Sequence, residues 1–107
     1  MMADIEKQLK AHLENAKDWE KMETPIPGVS VVKIPATKTR GPLLNVEINP
    51  LTNDGSPMKR KGLFVRNYEM FIKFREALED DKLTVLVKEI ENVNPSSQKE
   101  GTKKLKM

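Results

Sequence analysis

Residues 44–49 are Leu44-Asn45-Val46-Glu47-Ile48-Asn49, in which an apolar side chain alternates with a polar one. Successive side chains of a β-strand point to opposite faces, so this pattern predicts a strand with one covered face. The β-branched run Val29–Ile34 precedes it, and a third predicted strand follows from about Met58 to Val65. Because Asn53-Asp54-Gly55 is a strong turn signal, we predict an antiparallel meander.

Helical periodicity flanks the predicted sheet on its N-terminal side. Apolar residues recur there at steps of three and four positions: Ile5, Leu9, Leu13, Ala16 and Trp19. This spacing predicts an amphipathic helix over residues 3–22. Two prolines and a glycine in the run Thr24-Pro25-Ile26-Pro27-Gly28 end it.

A second helical region follows the sheet over residues 67–94. Asn67 is a favourable N-cap, and Glu69 lies in the first turn. Asp80-Asp81 favours a break between two helices, although a mid-helix position stays open, and a strand over 83–87 is the alternative to the second helix. The fold class is therefore α+β, with a small antiparallel sheet of three or four strands backed by helices, an N-terminal helix and C-terminal helices.

Length and composition limit the organisation of the chain. Its 107 residues suit one domain, which we assign to residues 1–95, and residues 96–107 have the composition of a disordered basic tail. No cysteine and a single histidine, His12, exclude disulfides, thiolate metal sites and imidazole-rich sites. The charged N-terminus and the lack of a long apolar run lead us to expect a soluble, cytoplasmic protein without a membrane segment, with nucleoid association left open.

Charge is segregated along the sequence. Residues 25–66 carry seven Lys or Arg and two acidic residues, a net charge of +5, whereas residues 67–94 carry −3. A basic segment between acidic ones suggests an anionic partner for the basic part.

Catalytic chemistry finds little support in the residues. None of the four serines lies in a nucleophile-elbow motif, and the five glycines are too scattered for a phosphate-cradling loop. His12 lies beside the apolar stripe of the predicted first helix and is interpreted as an ordinary boundary residue. We therefore expect no enzyme, no catalytic residue, no metal and no cofactor.

The segment Met58–Arg66 carries the functional prediction. If it is a strand, Leu63 and Val65 face the core, and Phe64 faces the other side together with Arg60 and Gly62. An exposed aromatic ring beside cations is typical of a platform that stacks unpaired bases, and Gly62 would leave room for a close approach. The predicted binding residues are Lys33, Lys38, Arg40, Lys59, Arg60, Lys61, Phe64 and Arg66. The alternative is a solvated hairpin end with Phe64 packed under a loop or the first helix. Trp19 and Tyr68 are interpreted as core residues, with a ligand contact as their alternative.

The order of these motifs resembles the single-stranded-DNA-binding domain of the positive-cofactor-four type of transcriptional coactivator. The resemblance covers Leu44 to Leu78, and Arg60-Lys61-Gly62 is its most specific part. The sequence departs from that family in its long first helix and in the segment after Asp80. It also has Tyr68 and Phe71 where the family usually has a tryptophan-containing turn. An N-terminal helix before a small sheet is also similar to the archaeal ThermoDBP-type single-stranded-DNA-binding proteins, and the Lys and Glu content is compatible with such an origin.

These resemblances imply a curved sheet, a homodimer formed through a helix, and binding of single-stranded DNA or RNA. We expect such binding with little sequence preference, through cations that neutralise phosphates and a ring that stacks on bases. A protein–protein adaptor in transcription or replication with an incidental basic patch is the main alternative. Charge-driven binding of duplex DNA or ribosomal RNA is a more distant one.

Overall fold

The computed structural model describes residues 2–95 of the chain. Three helices and four strands lie within that range: α1 Met2–Asn15, β1 Lys21–Glu23, β2 Val29–Ile34, β3 Leu43–Ile48, β4 Leu63–Val65, α2 Tyr68–Glu79 and α3 Asp81–Val93. The strands form one antiparallel sheet in the order β1-β2-β3-β4. The predicted α+β class and meander are therefore confirmed.

The chain divides into two compact units at Phe71. The first contains α1, the sheet and the first turn of α2; the second, beginning at Ile72, contains the rest of α2 and α3. The single domain expected over residues 1–95 stays a prediction. The proposed tail, residues 96–107, lies outside the described residues.

Strand register assigns the side chains of the sheet to two faces. Val31, Val46 and Val65 are paired in one row, and Val29, Ile48 and Leu63 follow on the same side, which we call the apolar face. The opposite side, the polar face, carries the row Glu23, Ser30, Glu47 and Phe64 across all four strands. Buried apolar side chains come from both sides, since Val31 and Val65 lie on the apolar face and Val32 on the polar face.

The first helix is shorter than its periodicity predicts, and the predicted helix over residues 3–22 is wrong beyond Asn15. The chain turns after Asn15, and residues 21–23 become β1 by pairing with the edge of β2. Glu20 accepts a hydrogen bond from the Lys17 backbone N–H at 2.9 Å, and Trp19 adopts a left-handed conformation with φ of 69°. Strand pairing by β2 thus outweighs the local helical pattern.

Trp19 and Tyr68 are not core residues as expected: they are 58% and 75% exposed. Trp19 leaves the apolar stripe of α1 because the helix has already ended before it. Tyr68 begins α2 and stacks on Phe71, with the ring centroids 6.2 Å apart. His12, by contrast, is half-buried and contacts the Glu20 carbonyl oxygen through Nε2 at 3.1 Å.

The helix boundaries after the sheet agree with the capping signals. The Asn67 side chain accepts a hydrogen bond from the Met70 backbone N–H at 2.9 Å. Asp80 is the N-cap of α3 and accepts from the Lys82 N–H at 2.8 Å, so the predicted break is confirmed and the alternative strand over 83–87 is wrong. None of the helices within residues 2–95 has the length and apolar character of a membrane span.

Candidate nucleic-acid interface

The three consecutive cations lie in a loop, not in a strand as predicted. Within the predicted strand from Met58 to Val65, only residues 63–65 pair with β3. Lys59, Arg60 and Lys61 precede β4 and are exposed. We call residues 59–61 the basic loop. After β3 the chain makes a tight turn at 52–56, which is closed by a bridge between Leu51 and Pro57. Pairing with β3 therefore begins at Leu63 and not near Met58, where the predicted strand began.

Two side chains from the end of β3 fix this loop in place. The Asn49 side chain accepts a hydrogen bond from the Lys59 N–H at 3.0 Å and donates one to the Lys59 carbonyl oxygen at 2.7 Å. At the other end, the Gly62 N–H donates to Glu47 Oε2 at 3.0 Å. The backbone of the basic loop is therefore held at both ends while its cationic side chains remain exposed.

Gly62 provides room for protein backbone, not for a ligand as predicted. A Cβ atom at this position would lie 2.6 Å from the Ile48 carbonyl oxygen and 2.9 Å from Glu47 Cγ. The glycine thus permits the chain to cross β3 at close range, which brings the basic loop next to the sheet.

Glu47 is the electrostatic centre of the polar face. Its carboxylate is almost fully buried and lies 2.6 Å from Lys21 Nζ on β1. The hydrogen bond from Lys21 holds the pKa of Glu47 below its usual value against the opposing effect of burial, and the Gly62 N–H contributes in the same direction. The negative charge of Glu47 is therefore balanced by Lys21, and its hydrogen bond with Gly62 positions the start of β4.

Phe64 lies on the face opposite Leu63 and Val65, as strand alternation predicts. It is paired with Glu47 in the register of β3 and β4, and its side chain is half-buried. The ring thus shares the polar face with Ser30 and Glu47 beside the base of the basic loop. This position leaves part of the ring accessible to a ligand.

Lys33 and Arg40 make hydrogen bonds within the protein, and their predicted phosphate contacts stay predictions. Lys33 is buried on the apolar face, where its ammonium donates to the carbonyl oxygen of Ala16 after the end of α1 at 2.8 Å. The half-buried Arg40 donates to the carbonyl oxygens of Pro35 and Gly41, at 3.3 and 2.9 Å, and so braces its own loop. Both cations act in folding contacts.

The remaining predicted cations do not form one cluster. Lys38 is exposed in the connection between β2 and β3, at the sheet end where Ile34 pairs with Leu43. The basic loop enters at the opposite end, where Leu63 pairs with Ile48. Arg66 is exposed directly after β4. Six residues of β3, about 20 Å of strand, separate the two ends, so the candidate interface consists of Lys59, Arg60, Lys61 and Phe64. Arg66 lines a pocket on the apolar face with Tyr68 and Phe71, and its phosphate contact stays a prediction.

Sequence reasoning missed the residues that build this interface. Lys21 fell within the predicted helix, and Asn49 and Glu47 appeared only as polar positions of an alternating strand. A signal existed in Asn49, because Asn-Pro before a turn often uses its side chain to bond nearby backbone. Lys21 had no comparable local signal, since its partner is 26 positions away in the sequence.

No protein-family model, curated protein or solved structure matches this chain. The resemblances to the positive-cofactor-four and ThermoDBP types therefore stay hypotheses that depend on the quoted motifs alone. In the part of the chain that the structure describes, no group of three or more His, Asp and Glu side chains is arranged to hold a metal ion.

Proposed function

We propose that the protein binds single-stranded DNA or RNA with little sequence preference, through the basic loop and the polar face of the sheet beside it. The observation that carries this proposal is the fixed basic loop: three exposed cations on a backbone held by Asn49 and Glu47, next to an accessible aromatic ring. Within residues 4–95, none of these three cations forms an ion pair with an acidic side chain.

Each part has a distinct role in this binding. Lys59, Arg60, Lys61 and Arg66 neutralise phosphates, which gives affinity without sequence information. Phe64 stacks on a base, which favours strands whose bases are unpaired. Preorganisation of the loop lowers the conformational entropy lost on binding.

A competition experiment tests the proposal. Full-length protein binds a labelled 20-nucleotide single strand, and unlabelled single strand or duplex of the same length competes. The proposal predicts that the single strand competes better and that Lys59→Ala/Arg60→Ala/Lys61→Ala binds both poorly. Absence of binding to either, at low salt and micromolar protein, contradicts it.

We also propose a homodimer, formed through the helices. α2 exposes apolar residues on more than one side, among them Met70, Phe74 and Leu78, and none of its residues is buried. An amphipathic helix typically carries one apolar stripe, so apolar residues on more than one side of α2 favour contact with a second copy.

The alternative function, a protein–protein adaptor, is favoured by the apolar residues of α3. Val85, Leu86, Val87, Ile90 and Val93 are all exposed by 45% or more. An adaptor would use this helix to bind a partner protein and would show no preference between single strand and duplex, so the same competition experiment separates the two functions.

A further inference from the structure

A cavity of about 560 Å³ opens on the polar face between two loops, and we call it the Ser30 cavity. The turn with Ile26 and Pro27 forms one wall, and the loop with Leu51 and Pro57 forms another. Ser30, on β2, lies between them and also lines the cavity. Its volume lies in the range of ligand pockets, roughly 300–1,000 Å³.

Both walls are held by hydrogen bonds within the protein. The Gly28 carbonyl oxygen accepts from the Asn49 N–H at 2.8 Å, and Gly28 has a φ of 79° that brings it against the Asn49 backbone. In the second wall, the hydroxyl of Thr52 and the N–H of Ser56 donate to the Asp54 carboxylate. The cavity is therefore formed before any ligand arrives.

The lining suits a flat ring with polar edges. Ile26 and Leu51 are 60% and 41% exposed, so the cavity offers apolar surface that nothing else in the described structure covers. Ser30 and the exposed Glu23 carboxylate supply hydrogen-bond acceptors, whereas the buried Glu47 carboxylate is already engaged by Lys21 and the Gly62 N–H. Exocyclic amino groups and ring N–H groups of nucleobases are donors that match these acceptors.

Asn49 joins this cavity to the basic loop. It lines the cavity, and the same side chain makes the two hydrogen bonds to the Lys59 backbone. We propose that the Ser30 cavity receives one unpaired nucleobase of a bound strand whose phosphates lie on the basic loop. This inference rests on the proposed function and adds to it a base-binding subsite separate from Phe64.

The charges of the polar face determine which part of a bound nucleotide enters the cavity. Glu23 and Glu47 both line the cavity, and Lys21 is engaged by Glu47 at 2.6 Å. Phosphates are repelled by carboxylates and attracted by Lys59, Arg60 and Lys61. A nucleotide therefore places its base in the cavity and its phosphate outside it.

Two probes of equal length and charge test the inference: a single-stranded thymidine oligonucleotide and the corresponding abasic phosphodeoxyribose strand. Full-length wild-type protein is expected to bind the base-bearing strand at least tenfold more tightly. Leu51→Ala removes one wall of the cavity and is expected to weaken that binding about fivefold or more, with unchanged binding of the abasic strand. Met58→Ala is the matched control, because Met58 is 61% exposed, lies beside the basic loop and does not line the cavity.

The outcomes separate the subsite from the proposed function. Equal affinity of the wild type for both probes overturns the subsite, as does a folded Leu51→Ala protein with wild-type affinity for the base-bearing strand. In the second case, loss of binding on Lys59→Ala/Arg60→Ala/Lys61→Ala would leave the proposed function standing. In the first case, base stacking by Phe64 would be contradicted as well, and only phosphate binding by the basic loop would remain. Thermal melting of each variant shows whether its fold is retained. Ile26→Ala changes the opposite wall at an exposed position, and its affinities for the base-bearing and abasic strands are compared in the same way. A wild type that binds neither probe overturns both.

Discussion

The ammonium of Lys21 lies 2.6 Å from the carboxylate of Glu47, although the two residues are on strands separated by β2. This ion pair connects β1 to β3 across the polar face. Glu47 also accepts the Gly62 N–H, so one carboxylate links the short first strand to the start of β4. The same group therefore stabilises the sheet and positions the basic loop.

Acid should weaken this connection. The pKa of Glu47 is lowered in the folded protein, mainly by the hydrogen bond from Lys21, so its contribution to stability is complete above the unfolded value of 4.5. That contribution is lost as the pH falls below 4.5 through the lower folded pKa. Thermal melting from pH 7 to pH 3 should show a decrease that Glu47→Gln reduces.

Glu23→Gln is the control for this experiment, because Glu23 is exposed on the same face and is not part of the ion pair. Its melting profile should retain the wild-type decrease. Identical acid profiles for wild type and Glu47→Gln would show that Glu47 does not carry this part of the stability.

Gly62→Ala should displace the basic loop. The new Cβ would lie 2.6 Å from the Ile48 carbonyl oxygen, a backbone atom that cannot move without disturbing β3. We expect a loss of about 1–3 kcal/mol in the free energy of unfolding, measured by chemical denaturation. Gly41→Ala is the matched control, since a Cβ there meets nothing within 4 Å. Equal stability of the two variants would contradict the close approach.

Phe64→Ala separates stacking from packing. Because the ring is half-buried, we expect a moderate loss of folding stability, below the ~3–5 kcal/mol of a fully buried phenylalanine. Binding of a single strand should weaken by ~1–3 kcal/mol through the lost base contact. Titrations well below the melting temperature measure this difference. A folded variant with unchanged affinity would remove Phe64 from the interface.

If the protein is a dimer formed through α2, a charged substitution on the apolar surface of α2 should reduce its mass in solution to that of one chain. Sedimentation at micromolar concentration should give twice the chain mass of 12.2 kDa. Phe74→Lys, at an exposed apolar position of α2, should give a monomer, whereas Glu76→Lys on the same helix should not. A compact monomer for the wild type at high concentration would contradict the dimer.

Strand alternation and capping residues were sufficient to predict β2, β3, β4 as the end of a longer predicted strand, and both C-terminal helices, but not β1, which lay largely within the predicted first helix. The pattern of residues 44–49 gave the correct alternation of β3 but not its burial, because the polar Asn45 and Glu47 are buried whereas Leu44, Val46 and Ile48 are half-buried. Asn67 and Asp80 cap their helices as local hydrogen bonding requires. These features depend on neighbours in the sequence, which is why they can be predicted from one chain.

The interface was predicted less completely, because its contacts are long-range. A basic triplet was visible as a charge pattern, yet its loop conformation depends on Asn49 and Glu47, 10 and 15 positions away from their bonded partners. Lys33 seemed available from composition, but it is buried and its ammonium donates to the carbonyl oxygen of Ala16, 17 positions away in the sequence. Charge and strand alternation indicate candidate binding residues. Contacts between residues distant in the sequence decide which of those side chains lie together on the surface.

The salt dependence of single-strand binding tests the central claim most directly. Each phosphate neutralised on a single strand contributes about −0.7 to the slope of log affinity against log salt concentration. With three or four cations in contact, we predict a slope of roughly −2 to −3 for the wild type, and for Lys59→Ala/Arg60→Ala/Lys61→Ala a slope smaller in magnitude by about 2. Equal slopes for wild type and triple variant, or an affinity of the wild type that does not change with salt, would contradict binding through the basic loop.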